Sequence, residues 1–203
     1  MFTTRTTTAA ASALLLLSLA ACTPVGSGGA EGGGDGGGGE AEASGDCITN
    51  KTWVLDLADA AAQVGEHLGS SGGLNVTQSL GEGRQDFRFD DDGTATSHVD
   101  SSFTISVVDG ELELTMVQTH AGDPSGQWEW ADDSGNISFS SWDNAGYSVQ
   151  SQTIVNGTAS EVTTSVPDDG LAEGSVMATE CSGNTLTTSV TGSPFIHHWT
   201  AEG

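Results

Sequence analysis

The chain has 203 residues, with 28 Asp and Glu against 4 Lys and Arg, so its formal net charge at pH 7 is -24. This length predicts a single folded domain once terminal segments are set aside. Clusters of Lys and Arg hold nucleic acids and anionic lipid headgroups, so the charge argues against either as a binding partner. The same charge favours a soluble, monomeric domain.

The first 21 residues have the composition of a sorting signal rather than of a folded element. Arg5 precedes an apolar run over residues 9–21, which is shorter than the roughly 20 residues that a membrane-spanning helix needs. The run ends in Leu-Ala-Ala-Cys at Cys22, where small residues precede a thiol nucleophile. This motif resembles the lipobox of bacterial lipoproteins; an ordinary secretory signal is the alternative interpretation.

The lipobox resemblance implies a location for the protein. It implies cleavage before Cys22, a diacylglyceryl group on the cysteine sulfur and acylation of the new amine. One acyl chain binds membranes only marginally, whereas two or three anchor a protein stably. We therefore expect a lipid-anchored protein at the extracytoplasmic face of the cell membrane, with the membrane as a partner through this anchor.

Residues 22–45 are rich in glycine, with Ser, Ala and scattered acids. Such a segment buries too little apolar surface to offset the entropy of ordering it. We expect a flexible tether with an r.m.s. reach of roughly 25–30 Å, on the scaling for Gly-rich chains. The folded domain is then predicted over residues 46–203.

Two cysteines remain once Cys22 is assigned to the lipid: Cys47 and Cys181, near the two ends of the predicted domain. An exported protein meets an oxidising environment, so these thiols are predicted to form one disulfide. A metal or catalytic role is disfavoured because the two thiols are far apart in sequence and belong to no Cys-x-x-Cys pair.

The first elements of the predicted domain are a short strand and a helix. The segment 52–56 has β-like composition, and Asp56 is placed to cap a helix that ends near Leu68, with Gly69 as its stop. Apolar residues follow at helical spacing: Leu57, Ala60, Ala61, Val64 and Leu68.

Beyond Gly81 the apolar pattern changes to period two, which is typical of β-strands. About ten sequential strands are predicted, the last near 149–155, 159–166, 175–181, 185–190 and 195–200. They are separated by Gly- and Asn-containing turns, which include Asp92-Gly93, Asp109-Gly110, Asn156-Gly157 and Asp169-Gly170. A meander of this length removes its exposed edges by closing, so we expect an all-β, up-and-down antiparallel barrel with one helix after the first strand.

A first strand that carries Trp53, a helix before the second strand and simple hairpins thereafter together resemble the calycins, the lipocalins and fatty-acid-binding proteins. The resemblance implies a ligand-binding lumen with the helix as a lid over the barrel mouth. The chain departs from the lipocalin pattern in two places. Lys51 occupies the position of glycine in the Gly-x-Trp signature, and segment 195–200 has no arginine to pack on that tryptophan.

No motif in the sequence predicts catalysis, a cofactor or a metal site. His197 and His198 are adjacent in a predicted strand, so they point to opposite faces and one metal ion would not bind both. The segment 90–93, Asp-Asp-Asp-Gly, lacks the alternating ligands of a calcium loop and is predicted to be a turn. A Gly-x-Ser-x-Gly elbow and a phosphate-binding loop are both absent from the sequence.

Apolar side chains alternate with polar ones along the predicted strands, so they share one face. In a barrel these apolar residues are candidates to line a lumen that would bind a small hydrophobic or lipid ligand. These are Trp53, Phe87, Phe89, Phe103, Leu112, Leu114, Met116, Trp128, Trp130 and Phe139. The alternative is that the same side chains fill the barrel as a packed core.

That alternative makes the protein a structural or interaction module of the cell envelope. Exposure of Trp142, Tyr147 and Trp199 would favour it, because aromatic anchors carry much of the energy of protein interfaces. An enzyme whose site is assembled from distant loops is the third hypothesis, and a carboxyl or histidine with a strongly shifted pKa in a cleft would support it.

Overall fold

The fold is described from a computed structural model, over residues 45–131, 135–144, 146–160, 171 and 174–202. The predicted signal, Cys22 and the predicted tether up to residue 44 lie outside these ranges. Two helices are present within them, α1 (Gly45–Ile48) and α2 (Leu57–Gly72). The strands are β1 (Thr52–Leu55), β2 (Val76–Phe89), β3 (Thr94–Asp109), β4 (Leu112–Gly122), β5 (Ser125–Ala131), β6 (Asn136–Asp143), β7 (Ser148–Val155), β8 (Thr158–Ser160), β9 (Val176–Ser182), β10 (Thr185–Val190) and β11 (His197–Glu202).

Eight of these strands close into an antiparallel barrel, so the predicted fold class is confirmed. Around the ring the order is β1, β2, β3, β5, β6, β9, β10 and β11, and β11 pairs with β1 to close it. The ring follows chain order, as in an up-and-down barrel, and α2 connects β1 to β2. Closure leaves the ring without an exposed edge.

The other three strands, β4, β7 and β8, are not part of the ring and continue the sheet from β3. The branch lies on β3, whose residues 94–96 pair with β5 while residues 99–109 pair with β4. Strand β7 then pairs with β4, and β8 pairs with β7. Of the strand predicted at 159–166, the structure describes only the part up to Ser160, in β8; residues 161–166 lie outside the described ranges.

Helix α2 begins where the sequence predicts and ends later. The Asp56 carboxylate accepts a hydrogen bond from the backbone N–H of Asp59 at 3.0 Å, which satisfies a free donor of the first turn. The predicted stop at Gly69 is wrong, because the helix continues through it to Gly72. The terminating residue is Gly73, which adopts the left-handed conformation at φ 64° that glycine tolerates best.

The predicted disulfide is present: Cys47 and Cys181 are bonded, with their Cα atoms 6.1 Å apart. It joins α1 to β9, which are 134 residues apart in sequence. Cys181 is buried in the larger of two apolar clusters. The central residues of this main cluster are Ile48, Trp53, Phe87, Phe89, Ile137, Phe139, Met177, Leu186 and Trp199.

A second apolar cluster forms where α2 meets β3 and β4. Its buried members are Val64, Ile105, Val107, Met116 and Phe195, and Leu68, Val76 and Leu114 pack against them. Ile105 and Val107 are both buried on β3, as the period-two pattern predicts. The inner volume of the protein is therefore bounded by two separate packed regions.

The acidic segment 90–93 forms a turn between β2 and β3, as predicted. The Asp90 backbone N–H donates to the Thr94 carbonyl at 2.9 Å, and Gly93 has a φ of 82°. The Asp92 carboxylate accepts from the Thr94 backbone N–H at 2.9 Å, and this hydrogen bond lowers the pKa of Asp92. Among the described residues, no helix combines the length and the apolar character needed to cross a membrane.

Candidate ligand-binding cavity

The barrel contains a cavity of about 350 Å³ that is partly open to solvent. Side chains from β1, β2, β3, β4, β6, β9, β10 and β11 line it, and Ala60 and Val64 of α2 complete the wall. Phe87 and Phe89 bring the main cluster to its surface, while Val64 and Phe195 bring the second cluster. The volume lies in the range of pockets that bind small molecules.

Much of the wall is aromatic, and the rings hold one another in place. Phe87 stacks on Phe89 with centroids 4.7 Å apart and lies parallel to Trp142 at 5.9 Å. Trp199 meets Phe87 edge-on at 6.2 Å, and its indole N–H donates to the Thr188 hydroxyl at 2.9 Å. This bond gives the polar edge of the indole a partner and orients its apolar faces within the wall.

The structure separates the ten predicted lumen residues into several groups. Phe87, Phe89 and Phe103 line the cavity. Trp53 and Phe139 lie in the main cluster instead, 0% and 2% exposed.

The remaining predicted lumen residues also lie away from the cavity wall. Trp128 and Trp130 are partly buried against the main cluster, and the Trp128 indole N–H donates to the Asp90 carbonyl at 3.1 Å. Met116 and Leu114 belong to the second cluster. Leu112 is 45% exposed next to the β3–β4 turn.

Polar side chains line several parts of the wall, and one group of them comes from β4 and the β6–β7 connection. Gln118 and His120 follow Met116 on the inward phase of β4, and all three are buried. The His120 Nδ1 and the Tyr147 hydroxyl are 2.6 Å apart. A Cβ atom on Gly122 would lie 2.6 Å from the Tyr147 Cα, so glycine there permits the close approach that brings Tyr147 to His120.

The β6–β7 connection is itself held by local hydrogen bonds. The Tyr147 backbone N–H donates to the Asn144 carbonyl at 3.0 Å, and Gly146 supplies a φ of 87°. The Trp142 indole N–H donates to the Asn144 side-chain oxygen at 3.1 Å. This turn therefore positions Trp142 and Tyr147 together on the cavity wall.

Helix α2 is held firmly on one of its sides, against β2. A Cβ atom on Gly81 would lie 2.1 Å from the Leu57 carbonyl oxygen, so only glycine allows the helix to approach so closely. The Ser79 hydroxyl also donates to the carbonyl of Ala61, within the helix.

The other side of α2 is bound to the segment that enters β11. The Gln63 amide donates to the Ile196 carbonyl and accepts from the Ile196 N–H, and His198 Nδ1 lies 2.8 Å from the Asp59 carboxylate. Partial burial works to raise the pKa of Asp59, but hydrogen bonds from His198 and Gln63 outweigh it and the pKa lies below its usual value. The helix is thus a bound part of the wall.

The basic residues of the domain are all paired away from the cavity. After residue 45 the sequence contains Lys51, Arg84 and Arg88 and no other Lys or Arg. The Lys51 ammonium donates to the Gly183 carbonyl at 2.8 Å, Arg84 contacts Asp86 and Glu202, and Arg88 contacts Asp90.

The adjacent histidines His197 and His198 lie in different surroundings. His197 lines the cavity while His198 is exposed and contacts Asp59, so the two point to opposite faces as predicted. Within the part of the chain that the structure describes, no three His, Cys, Asp or Glu side chains are grouped as metal ligands.

Comparison of the chain with protein-family models, curated proteins and solved structures found no match. The fold and cavity together define a class, a closed antiparallel β-barrel with a small-molecule-sized lumen. Trp142 and Tyr147 are partly buried on the cavity wall and Trp199 is 6% exposed, so none of the three forms an exposed aromatic surface.

Proposed function

We propose that this chain is a lipid-anchored binding protein that holds one small, mainly apolar molecule in its barrel lumen at the extracytoplasmic face of a membrane. The observation that carries the proposal is the cavity of about 350 Å³ with aromatic walls inside a closed barrel. Protein interiors are normally packed to the density of organic crystals, so a volume of this size is costly unless it has a use.

The cavity distinguishes this proposal from the filled-barrel interaction module. A completely filled barrel leaves no internal volume of this size, whereas Phe87, Phe103 and Trp199 here border a cavity of about 350 Å³. The interaction module also needs an exposed aromatic surface, and Trp142 and Tyr147 face the cavity instead. Both points favour capture of a ligand over docking of a protein.

Capture would be an equilibrium process driven by removal of apolar surface from water. Each 100 Å² of apolar surface buried contributes about 2.5 kcal/mol before the costs of association are subtracted. Rings that already hold one another lose little freedom when a ligand binds, which lowers those costs. The cavity is partly open to solvent, and α2 is hydrogen-bonded to β2 and to the segment before β11, so we expect entry through the open part of the wall rather than by displacement of the helix.

The first test is native mass spectrometry of the full chain after incubation with a bacterial lipid extract. The expected result is a stoichiometric added mass that is lost on unfolding. Val99→Trp, which places an indole in the cavity, is expected to reduce the bound fraction at least about tenfold, because overpacking removes the ligand's volume. Val149→Trp is the matched control, since Val149 is 41% exposed on β7. A clean apoprotein mass across several extracts would overturn the carrier proposal.

The anchor is tested separately with Cys22→Ser. The cysteine thiol is the group that would receive the diacylglyceryl chain, so we expect an uncleaved precursor or a domain released from the membrane. Membrane fractionation with metabolic labelling by a radioactive fatty acid measures this directly, with Thr23→Ser, next to the cysteine, as the control that keeps both the thiol and the disulfide. Normal processing and membrane retention of Cys22→Ser would contradict the lipoprotein assignment.

A further inference from the structure

The chemistry of the cavity wall also indicates which class of ligand it would accept. The cavity volume of about 350 Å³ equals the share of roughly 12 water molecules at about 30 Å³ each. It therefore suits a molecule of medium chain length or a single ring with a short chain. The polar atoms of the wall determine which polar head group of such a molecule can be bound.

Gln118 is the most informative of these polar side chains. It is 4% exposed and lines the cavity. Its register partners on the neighbouring strands are Phe103 and Ser151. No hydrogen bond joins its amide to another described residue, and among the described residues the buried side-chain polar atom without a partner is Ser101 Oγ, so the Gln118 amide atoms are open to the cavity. An amide that is open to the cavity and has no protein partner bonds to water when the cavity is empty of ligand, and it can exchange that water for a polar group of a bound molecule.

An amide both donates and accepts hydrogen bonds, so Gln118 matches a hydroxyl or an amide head equally well. The nearby His120 is already engaged through Nδ1 by the Tyr147 hydroxyl and edge-on by Phe103, with centroids 5.8 Å apart. These contacts fix the histidine beside Gln118 on the same strand face. The polar head is therefore expected at β4, with the apolar body against Phe87, Phe89 and Trp199.

The charge distribution argues against an ionised head. No Lys, Arg, Asp or Glu lies among the described residues that line the cavity. Arg84 and Arg88, whose guanidinium groups could pair with a carboxylate, are held on the outside by Asp86, Glu202 and Asp90. The whole chain carries 28 acidic residues against 4 basic ones, so its field further opposes an anion. An ammonium head would likewise be buried without a counter-charge.

We infer that the lumen selects an uncharged amphiphile, whose hydroxyl or amide head bonds to Gln118 and whose apolar body lies among the aromatic rings. This inference rests on the proposed function, since it specifies the ligand of the same cavity. It also distinguishes this lumen from one built to hold a free fatty-acid carboxylate.

The experiment compares four probes on the full chain by isothermal titration at pH 8: 1-octanol, octanoate, octylammonium and n-butylbenzene. The expected result is that octanoate and octylammonium bind more than about tenfold more weakly than 1-octanol, because burying an unpaired charge costs several kcal/mol. Binding of either ion within about tenfold of 1-octanol overturns the inference while leaving the carrier function intact. Failure of all four probes to bind overturns the proposed function itself.

The role of Gln118 is tested by Gln118→Leu, which keeps the shape of the side chain and removes its polar atoms. We expect 1-octanol to bind about tenfold more weakly, which corresponds to about 1.4 kcal/mol, while n-butylbenzene binds as well as before or better. Gln150→Leu is the matched control, because Gln150 is exposed on β7 of the same sheet. Unchanged 1-octanol affinity in Gln118→Leu, or an equal loss for both probes, overturns the assignment of the head to this residue.

Discussion

Replacing both Cys47 and Cys181 by serine is expected to lower the free energy of unfolding by about 2–5 kcal/mol. The disulfide closes a loop with a sequence separation of 134 residues, which includes almost the whole barrel. In the chain-entropy model a loop of this length restricts the unfolded state by about 5 kcal/mol. The serine hydroxyl at the buried position 181 adds a smaller cost, because it would lie among apolar side chains.

Urea denaturation followed by tryptophan fluorescence measures this loss. Cys22→Ser is the matched control, since it makes the same chemical change outside the disulfide and is expected to leave the urea midpoint unchanged. Reduction of the unmodified protein should lower the midpoint by nearly as much as the double substitution. A midpoint that is the same in the double variant and in the control would show that the disulfide does not limit unfolding.

The fold class was predictable because several local signals agree with one another. The turn at Asn156-Gly157 has φ values of 48° and 76°, the left-handed geometry that this dipeptide favours. Asp56 caps the helix as expected, and the burial pattern of β3 alternates through residues 95, 97, 99 and 101. The two cysteines remaining after Cys22 also left one pairing to consider. Each of these signals depends on residues that are close together in the chain or on the number of cysteines, and both can be read directly from the sequence.

The branching of the sheet was not predictable on the same grounds. Strand β3 pairs with β5 near its start and with β4 over its remainder. Period two describes which face a side chain occupies, but it carries no information on which strand lies beside it. The sequence pattern around Gly122 and Pro124 indicates an interruption between β4 and β5, yet not that the chain leaves the ring there.

The candidate site was predicted in part, for a related reason. Apolar alternation placed Phe87, Phe89 and Phe103 on the inner face, where they line the cavity. It also selected Trp53 and Phe139, because core residues and lumen residues both lie on the inner face of a strand and show the same alternation in sequence.

The polar part of the wall was missed, although a signal for it exists. Gln118 and His120 continue the inward phase of Leu114 and Met116 on β4. A search restricted to apolar residues ends at Met116. A strand whose inward-facing side chains change from apolar to polar, as here, is the pattern expected for the wall of a binding cavity. Tyr147 gives no such signal, because its position depends on the tertiary contact between Gly122 and the β6–β7 connection.

The distinction between core and lumen leads to the second large effect, a contrast between Trp53→Ala and Phe103→Ala. Trp53 is fully buried, and its indole N–H donates to the Ile48 carbonyl at 2.9 Å. Trp53→Ala is expected to lower the free energy of unfolding by about 3–5 kcal/mol, because it removes a packed ring and leaves that carbonyl without its donor. Trp53→Phe retains most of the packing but also removes the indole N–H, so its cost should be about 1–3 kcal/mol.

Phe103 is partly buried and faces the cavity, so Phe103→Ala removes fewer packing contacts. Its expected cost is below about 1.5 kcal/mol, while the affinity for an apolar probe such as n-butylbenzene should fall severalfold. Urea unfolding and probe titration on the same two variants measure both quantities. If Phe103→Ala proves as destabilising as Trp53→Ala, the ring belongs to a collapsed core in solution. A severalfold loss of probe affinity at nearly unchanged stability is what an open lumen requires, because a ring that faces a ligand contributes to binding rather than to folding.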